Sequence, residues 1–182
     1  QMCIRDSPNI GSGGVDVATV VGVTGATSLG STTNGAITLS GTIYKTGSGT
    51  LSVTTGGGGD TSDKEIVFSG VDPIISTAAG AVNLLGGEID IQNGTLTINT
   101  NTANAASDGG DITIAKTVYG NSDETLTLDA HTGSGGEISV GPIGASTSQI
   151  TAINMTAGGG ITLNGNIKNS DAGGGIDFNS PV

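Results

Sequence analysis

Two carboxylates one residue apart are the first feature of this sequence that could do chemistry. Glu88 and Asp90 flank Ile89, with Ile91 just beyond. In an extended strand that buries Ile89 and Ile91, both acids point outward, roughly 7 Å apart at about 3.3 Å per residue. A carboxyl pair at that spacing suits an inverting glycosidase, in which one acid protonates the leaving oxygen and the other activates water. Such sites normally add Arg or Lys to hold an acidic substrate and aromatic rings to stack on sugar. None stands beside this pair. The plainer reading is a solvated strand face whose charge discourages association. No catalytic residue is assigned.

The other candidates carry less. His131 is the only histidine and lies in Ala130-His131-Thr132-Gly133. A catalytic triad or a His-based metal site needs partners, and the chain has no second His and a single Cys, Cys3. His131 therefore reads as an exposed loop residue. Asp60, Asp63 and Glu65, with Asp108 and Asp111, are hard oxygen donors in Gly-rich text, the type that takes Ca²⁺. The tandem Gly-Gly-x-Gly-x-Asp nonapeptide is approached once, at residues 56–60, and then breaks register. Calcium stays open as a stabiliser of the repeats, with no metal ligand and no cofactor residue assigned.

The Gly-rich runs at 11–14, 56–59 and 133–136 do not form a nucleotide fingerprint, because no helix pattern and no Gly-Lys-Ser/Thr follows them. They read as turns. The sequons Asn93-Gly94-Thr95 and Asn154-Met155-Thr156 matter only in a eukaryotic secretory pathway. Outward threonines such as Thr95, Thr97, Thr125 and Thr127 suggest a ladder able to order water and bind ice. That function needs coils of uniform length, and the spacings here vary.

Composition narrows the rest. Gln1-Met2-Cys3-Ile4-Arg5-Asp6-Ser7 resembles the translation of a sequencing adapter and is set aside as a scar. With it go the only Cys and the only Arg, so no disulfide framework is available. The formal charge of −11 over 182 residues argues against nucleic acid and against anionic membrane surfaces, both of which need a basic footprint. No apolar run approaches the length of a membrane span. The 34 glycines could signal disorder, but the Ile, Leu and Val residues are too regularly placed for that.

That regularity defines the elements. Triplets apolar at both ends, with a polar residue between in all but Ile66-Val67-Phe68, recur as Ile37-Thr38-Leu39, Leu51-Ser52-Val53, Ile66-Val67-Phe68, Val82-Asn83-Leu84, Ile89-Asp90-Ile91 and Leu96-Thr97-Ile98. They continue as Ile112-Thr113-Ile114, Leu126-Thr127-Leu128, Ile138-Ser139-Val140, Ile161-Thr162-Leu163 and Ile176-Asp177-Phe178. Period two with Gly, Asn, Asp and Ser between runs means short strands with one buried face.

Longer units align too. Ile37, Leu39, Ile43, Leu51 and Val53 match the offsets of Ile112, Ile114, Val118, Leu126 and Leu128 without a gap. Ile161, Leu163, Ile167, Ile176 and Phe178 match with one inserted residue, and Val82, Leu84, Ile89, Leu96 and Ile98 are shifted by one in the middle. A unit of roughly 20 residues holding two or three strands is one coil of a β-solenoid. Its inward residues can be buried only by stacking on the next coil. The competing β-sandwich usually carries anchoring aromatics, which are 2% of this chain. Insertions between Thr55 and Asp63 and between Asn99 and Gly110 are expected to bulge outward as loops.

Gly110-Asp111-Ile112-Thr113-Ile114-Ala115, followed by Thr125-Leu126-Thr127-Leu128-Asp129-Ala130, resembles the passenger repeats of filamentous-haemagglutinin-like proteins. So does Gly159-Gly160-Ile161-Thr162-Leu163-Asn164-Gly165-Asn166-Ile167, and bacterial surface proteins described only as β-strand repeat-containing are similar. The likeness runs from about Gly35 onward and is one of style, without an invariant catalytic motif. It implies a right-handed parallel β-helix, export across the outer membrane of a Gram-negative bacterium, and an adhesive or stalk role. The family's secretion domain carries an Asn-Pro-Asn-Gly type motif, whereas here only Ser7-Pro8-Asn9-Ile10 occurs. That departure points to shaft rather than export-recognition domain.

The expected organisation is a scar at 1–7, a poorly defined lead-in with a partial coil at 8–34, and β-solenoid repeats at 35–182, truncated at the C-terminal end. The expected function is a non-enzymatic structural and adhesive segment of a large secreted or cell-surface protein. Its partner would be a host, neighbour-cell or matrix ligand, with no nucleic acid and no membrane insertion. The alternatives are a carbohydrate-active β-helix, lyase or hydrolase, using outward carboxylates, and a calcium-stabilised repeat.

Overall fold

A computed structural model describes residues 15–17, 19–31, 35–55, 65–102, 109–121, 123–133, 135–144, 149–170 and 174–180. The scar at 1–7 and the lead-in as far as residue 14 lie outside these. The described chain is all-β and winds through about five turns of a three-sided parallel β-solenoid, as the triplet pattern predicts.

The first side stacks β1 (Val15–Val17), β4 (Ile37–Leu39), β7 (Ile66–Phe68), β10 (Ile89–Ile91) and β13 (Val118–Gly120). The second stacks β2 (Val20–Val23), β5 (Ile43–Lys45), β8 (Ile74–Ser76), β11 (Thr95–Asn99), β14 (Thr125–Asp129), β16 (Ala152–Thr156) and β18 (Ile176–Asn179). The third stacks β3 (Thr27–Ser31), β6 (Leu51–Thr55), β9 (Val82–Leu85), β12 (Ile112–Ile114), β15 (Glu137–Val140) and β17 (Gly160–Leu163). Each ladder between these strands is parallel. Beyond Val118 the first side continues as single bridges to Ile143 and then Ile167. The segment read as a lead-in contributes a rung, since β1, β2 and β3 pair with β4, β5 and β6.

The core is the set of columns that the inward residues make. On the first side Ile37, Ile66, Ile89, Val118 and Ile143 lie above one another, all fully enclosed. On the second the column runs Ile43, Ile75, Ile98, Leu128, Met155. On the third it runs Leu51, Val82, Ile112, Ile138. Each such side chain contributes about 1.5–3 kcal/mol by leaving water. No rung could collect that contribution without its neighbours.

The repeat alignment needs one correction. Ile37 lies on the first side, whereas Ile112 and Ile161 both belong to the third. All three sides carry the same apolar–polar–apolar text, so an alignment slipped by one side still matches. The copy starting at Val82, which looked imperfect, is the true stacking neighbour of the one starting at Ile112. Val82 sits under Ile112, Ile89 under Val118 and Ile98 under Leu128. Its extra residue is taken up at a corner, where Gly86 adopts a left-handed φ of 121° and Gly87 N–H donates to Thr55 Oγ1 at 2.6 Å. A side chain at Gly86 would run into Thr55.

An inward charge breaks the aliphatic rule. Lys45 is fully enclosed, and its ammonium donates to the Gly25 carbonyl and to Thr27 Oγ1, the latter at 2.8 Å. Burial pushes its pKa down. A base whose folded pKa is depressed costs stability at neutral pH, and the cost fades as pH rises toward the unfolded value of about 10.4. Lys45→Met should therefore raise the Tm by a few degrees at neutral pH, with the advantage shrinking in alkali; a calorimetric pH series checks it. Ile89→Ala, in the middle of the first column, should cost about 2–5 kcal/mol in denaturant unfolding.

Candidate functional site

The best-furnished surface lies on the outer face of the first side. Alternation along β7, β10 and β13 turns Val67, Asp90 and Tyr119 outward in one vertical row. Glu88 stands just before Ile89, and Ile66 N–H bonds to the Glu88 carbonyl, so Glu65 and Glu88 occupy equivalent places on successive rungs. Glu88 and Asp90 thus lie where period two predicts, both half-buried.

Tyr119 reaches past the rung of Asp90 and donates its hydroxyl to Glu65 Oε1 at 2.6 Å, linking residues 54 apart in sequence. Burial pushes the Tyr119 phenol far above its usual range; its bond to Glu65 and the charges of Glu65, Asp90 and Glu88 push the same way. Asp90 is also raised, first by burial, then by the charges of Glu65 and Glu124, while a 2.9 Å hydrogen bond from Gln92 works against the rise. Glu124 is buried and accepts the backbone N–H groups of Asn121 at 2.6 Å and Asp123 at 3.1 Å. Its carboxylate fills the space that a side chain at Gly120 would take. Chemically the described residues of this face are a row of acids and one phenol.

The other candidate acids are elsewhere. Asp111 lies at the corner leading into β12, where Oδ1 accepts Glu137 N–H at 3.0 Å. Asp129 ends β14 on the second side, accepting from His131 N–H at 2.9 Å and from Asn99 Nδ2 at 3.2 Å. Asp60, Asp63 and Asp108 lie outside the described residues, as do the Gly-rich runs at 11–14 and 56–59. Of the proposed calcium donors only Glu65 and Asp111 can be placed, one on the first side and one at the entry to the third. Among the described residues no group of three or more His, Cys, Asp or Glu is arranged to hold a metal ion.

His131 is half-buried rather than exposed. Its backbone takes a left-handed φ of 72° in the turn after β14, and its carbonyl accepts Gly158 N–H from the next rung at 2.6 Å. Asn93 is exposed in the turn before β11, and Asn154 points outward from β16. The threonine ladder is short: Thr95 sits under Thr125 and Thr97 under Thr127, but Ala152 and Asn154 follow above and Ile74 lies below Thr97.

Lys45, Glu124 and the Glu65–Tyr119 bond escape sequence reasoning. The last becomes readable once the coil register is known, because Asp90 then falls between its two partners.

Asp90 makes a test of this electrostatic picture. A carboxyl with a raised folded pKa favours the fold when protonated and disfavours it when ionised. Asp90→Asn should raise the Tm at neutral pH, and the difference should vanish as pH falls below about 3.9, the unfolded value.

No family model, no curated protein and no solved structure matches this chain.

Proposed function

We propose that this chain is a structural and adhesive segment of an exported bacterial surface protein, a rod that presents ligands with rows of side chains. The observation that carries the reading is the distribution of the outward acids over a continuous stack. Glu88 and Asp90 occupy the first side, Asp129 the second and Asp111 the corner before the third. An enzyme would gather such groups around one bond with donors to hold the substrate. A shaft has only to display them. The backbone ladders and the aliphatic columns make the rod stiff, and its acidic surface keeps it soluble.

The partner class that suits this reading is a host, neighbour-cell or matrix surface met outside the cell. Beads coated with the folded chain should bind an extracellular-matrix or cell-surface panel above beads coated with heat-unfolded chain. Positive charges added on one outer face, such as Thr97→Lys with Thr127→Lys, should change that binding without unfolding the rod. Equal binding by folded and unfolded chain would end the adhesive reading.

One observation favours a second reading, a carbohydrate-active β-helix. Glu65, Glu88, Asp90 and Tyr119 do converge on the first side. Incubation with acidic and neutral polysaccharides, followed by an assay for new reducing ends, separates the two. The shaft predicts no release; release abolished by Asp90→Asn would replace it with the enzyme.

A further inference from the structure

Two irregularities fall on one contact of the stack, that between the rung of β1–β3 and the rung of β4–β6. In the ladder of β2 on β5, Val20 pairs with Ile43, Val21 with Tyr44 and Val23 with Lys45. Gly22 is the residue left over, bulged out at a left-handed φ of 77°. No other ladder between the described strands has such a shift of register. A bulge interrupts the run of backbone bonds, so this contact is held less evenly than the rest.

Lys45 puts a charge at the same place. It is fully enclosed, and its amine reaches back one rung to donate to the Gly25 carbonyl and Thr27 Oγ1. On the next rungs the same inward position, just after Ser76, Asn99, Asp129 and Thr156, holds Thr77, Thr100, Ala130 and Ala157. All four are fully buried and neutral. A neutral amine has two N–H groups for its two acceptors, whereas an ammonium brings a third N–H and a charge to be solvated. The other titratable groups among the described residues of these two rungs are Asp16, on the first side opposite Thr38, and Tyr44, which alternation turns outward. On the rung beyond, Glu65 is tied to Tyr119 and Asp72 to Thr95 N–H. Burial lowers the Lys45 pKa, as it does for an amine without a counter-ion.

We propose that this contact is a pH-sensitive joint in the rod, closed on a neutral Lys45 amine and parted when that amine takes up a proton. The joint has a rung on each side, so it belongs to the interior of the stack. A proton on Lys45 favours the open form, in which water reaches the ammonium. The joint is therefore tightest above the unfolded lysine pKa of about 10.4 and loosens as pH falls toward the lowered folded value. The rungs beyond, with Thr and Ala in that position, stay stacked.

Methyl relaxation dispersion on the whole chain tests this, comparing Val20 and Leu29 on one side of the joint with Ile98 and Leu128 well beyond it. At neutral pH, Val20 and Leu29 should exchange with an open form that Ile98 and Leu128 do not share. The open population should fall about tenfold or more as pH rises to about 10.4. Lys45→Met should hold it at the lower level at both pH values. If that variant does not fold, Lys45→Thr takes its place, since Thr77 and Thr100 show that threonine fits the position. Deletion of Gly22 should reduce opening but keep its pH dependence, because the lysine remains. Exchange shared equally by all four methyls overturns the proposal, since the stack then opens as a whole. So does a pH dependence that survives Lys45→Met, or no exchange at neutral pH.

Discussion

Everything in this molecule depends on keeping two registers at once. Backbone hydrogen bonds between rungs run along the stack about 4.8 Å apart, and the same spacing must set Ile, Leu or Val directly on the aliphatic residue below. A slip of one residue would turn each inward side chain to solvent. The register therefore tolerates insertion freely between strands, and within a strand only as a local bulge, as at Gly22, the extra residue of β2 against β5. The extra residue at Gly86-Gly87 lies between β9 and β10, and the long segments 56–64 and 103–108 lie between β6 and β7 and between β11 and β12. Coil length varies; the sides do not.

This division explains what was legible in the sequence. All eleven triplets coincide with strands, because each has an inward apolar pair at period two. β16 escaped although Ile153-Asn154-Met155 fits the pattern; other strands that escaped have an inward position or an alternation that departs from it. β5 ends on Lys45, and β13 ends on Gly120, where Glu124 supplies the missing bulk. β8 presents Ile74 outward beside the inward Ile75, which blurs its alternation. The side to which a triplet belongs was not legible. Periodicity reports that a face is buried, but three equivalent faces leave the same trace.

The candidate site divides along the same line. That Glu88 and Asp90 point outward follows from local alternation and needed no knowledge of the fold. Their neighbours Glu65 and Tyr119 depend on which rung lies over which, and the variable segment at 56–64 hides that from sequence spacing. Of the calcium donors read from the sequence, only Glu65 and Asp111 fall among the described residues. Glu65 and Asp111 both flank glycine-rich text, yet one precedes a first-side strand and the other a third-side strand.

The three outer faces end up chemically distinct although one interior supports them all. The first carries Asp90, Tyr119 and the flanking glutamates. The second carries Thr97, Thr127, Asn154 and Asp177 in one row. The third carries Ser28, Ser52, Asn83, Thr113, Ser139 and Thr162, an uncharged row six rungs long. Outward residues hold up no column, so each row can change with little effect on stability, within the roughly ±0.5 kcal/mol typical of surface positions. A ligand that follows one face would meet the same kind of group at each rung, and its affinity would grow with the number of rungs engaged rather than with the depth of a pocket. Recognition by a stack of this kind would be additive along its axis, with length itself as the variable that sets its strength.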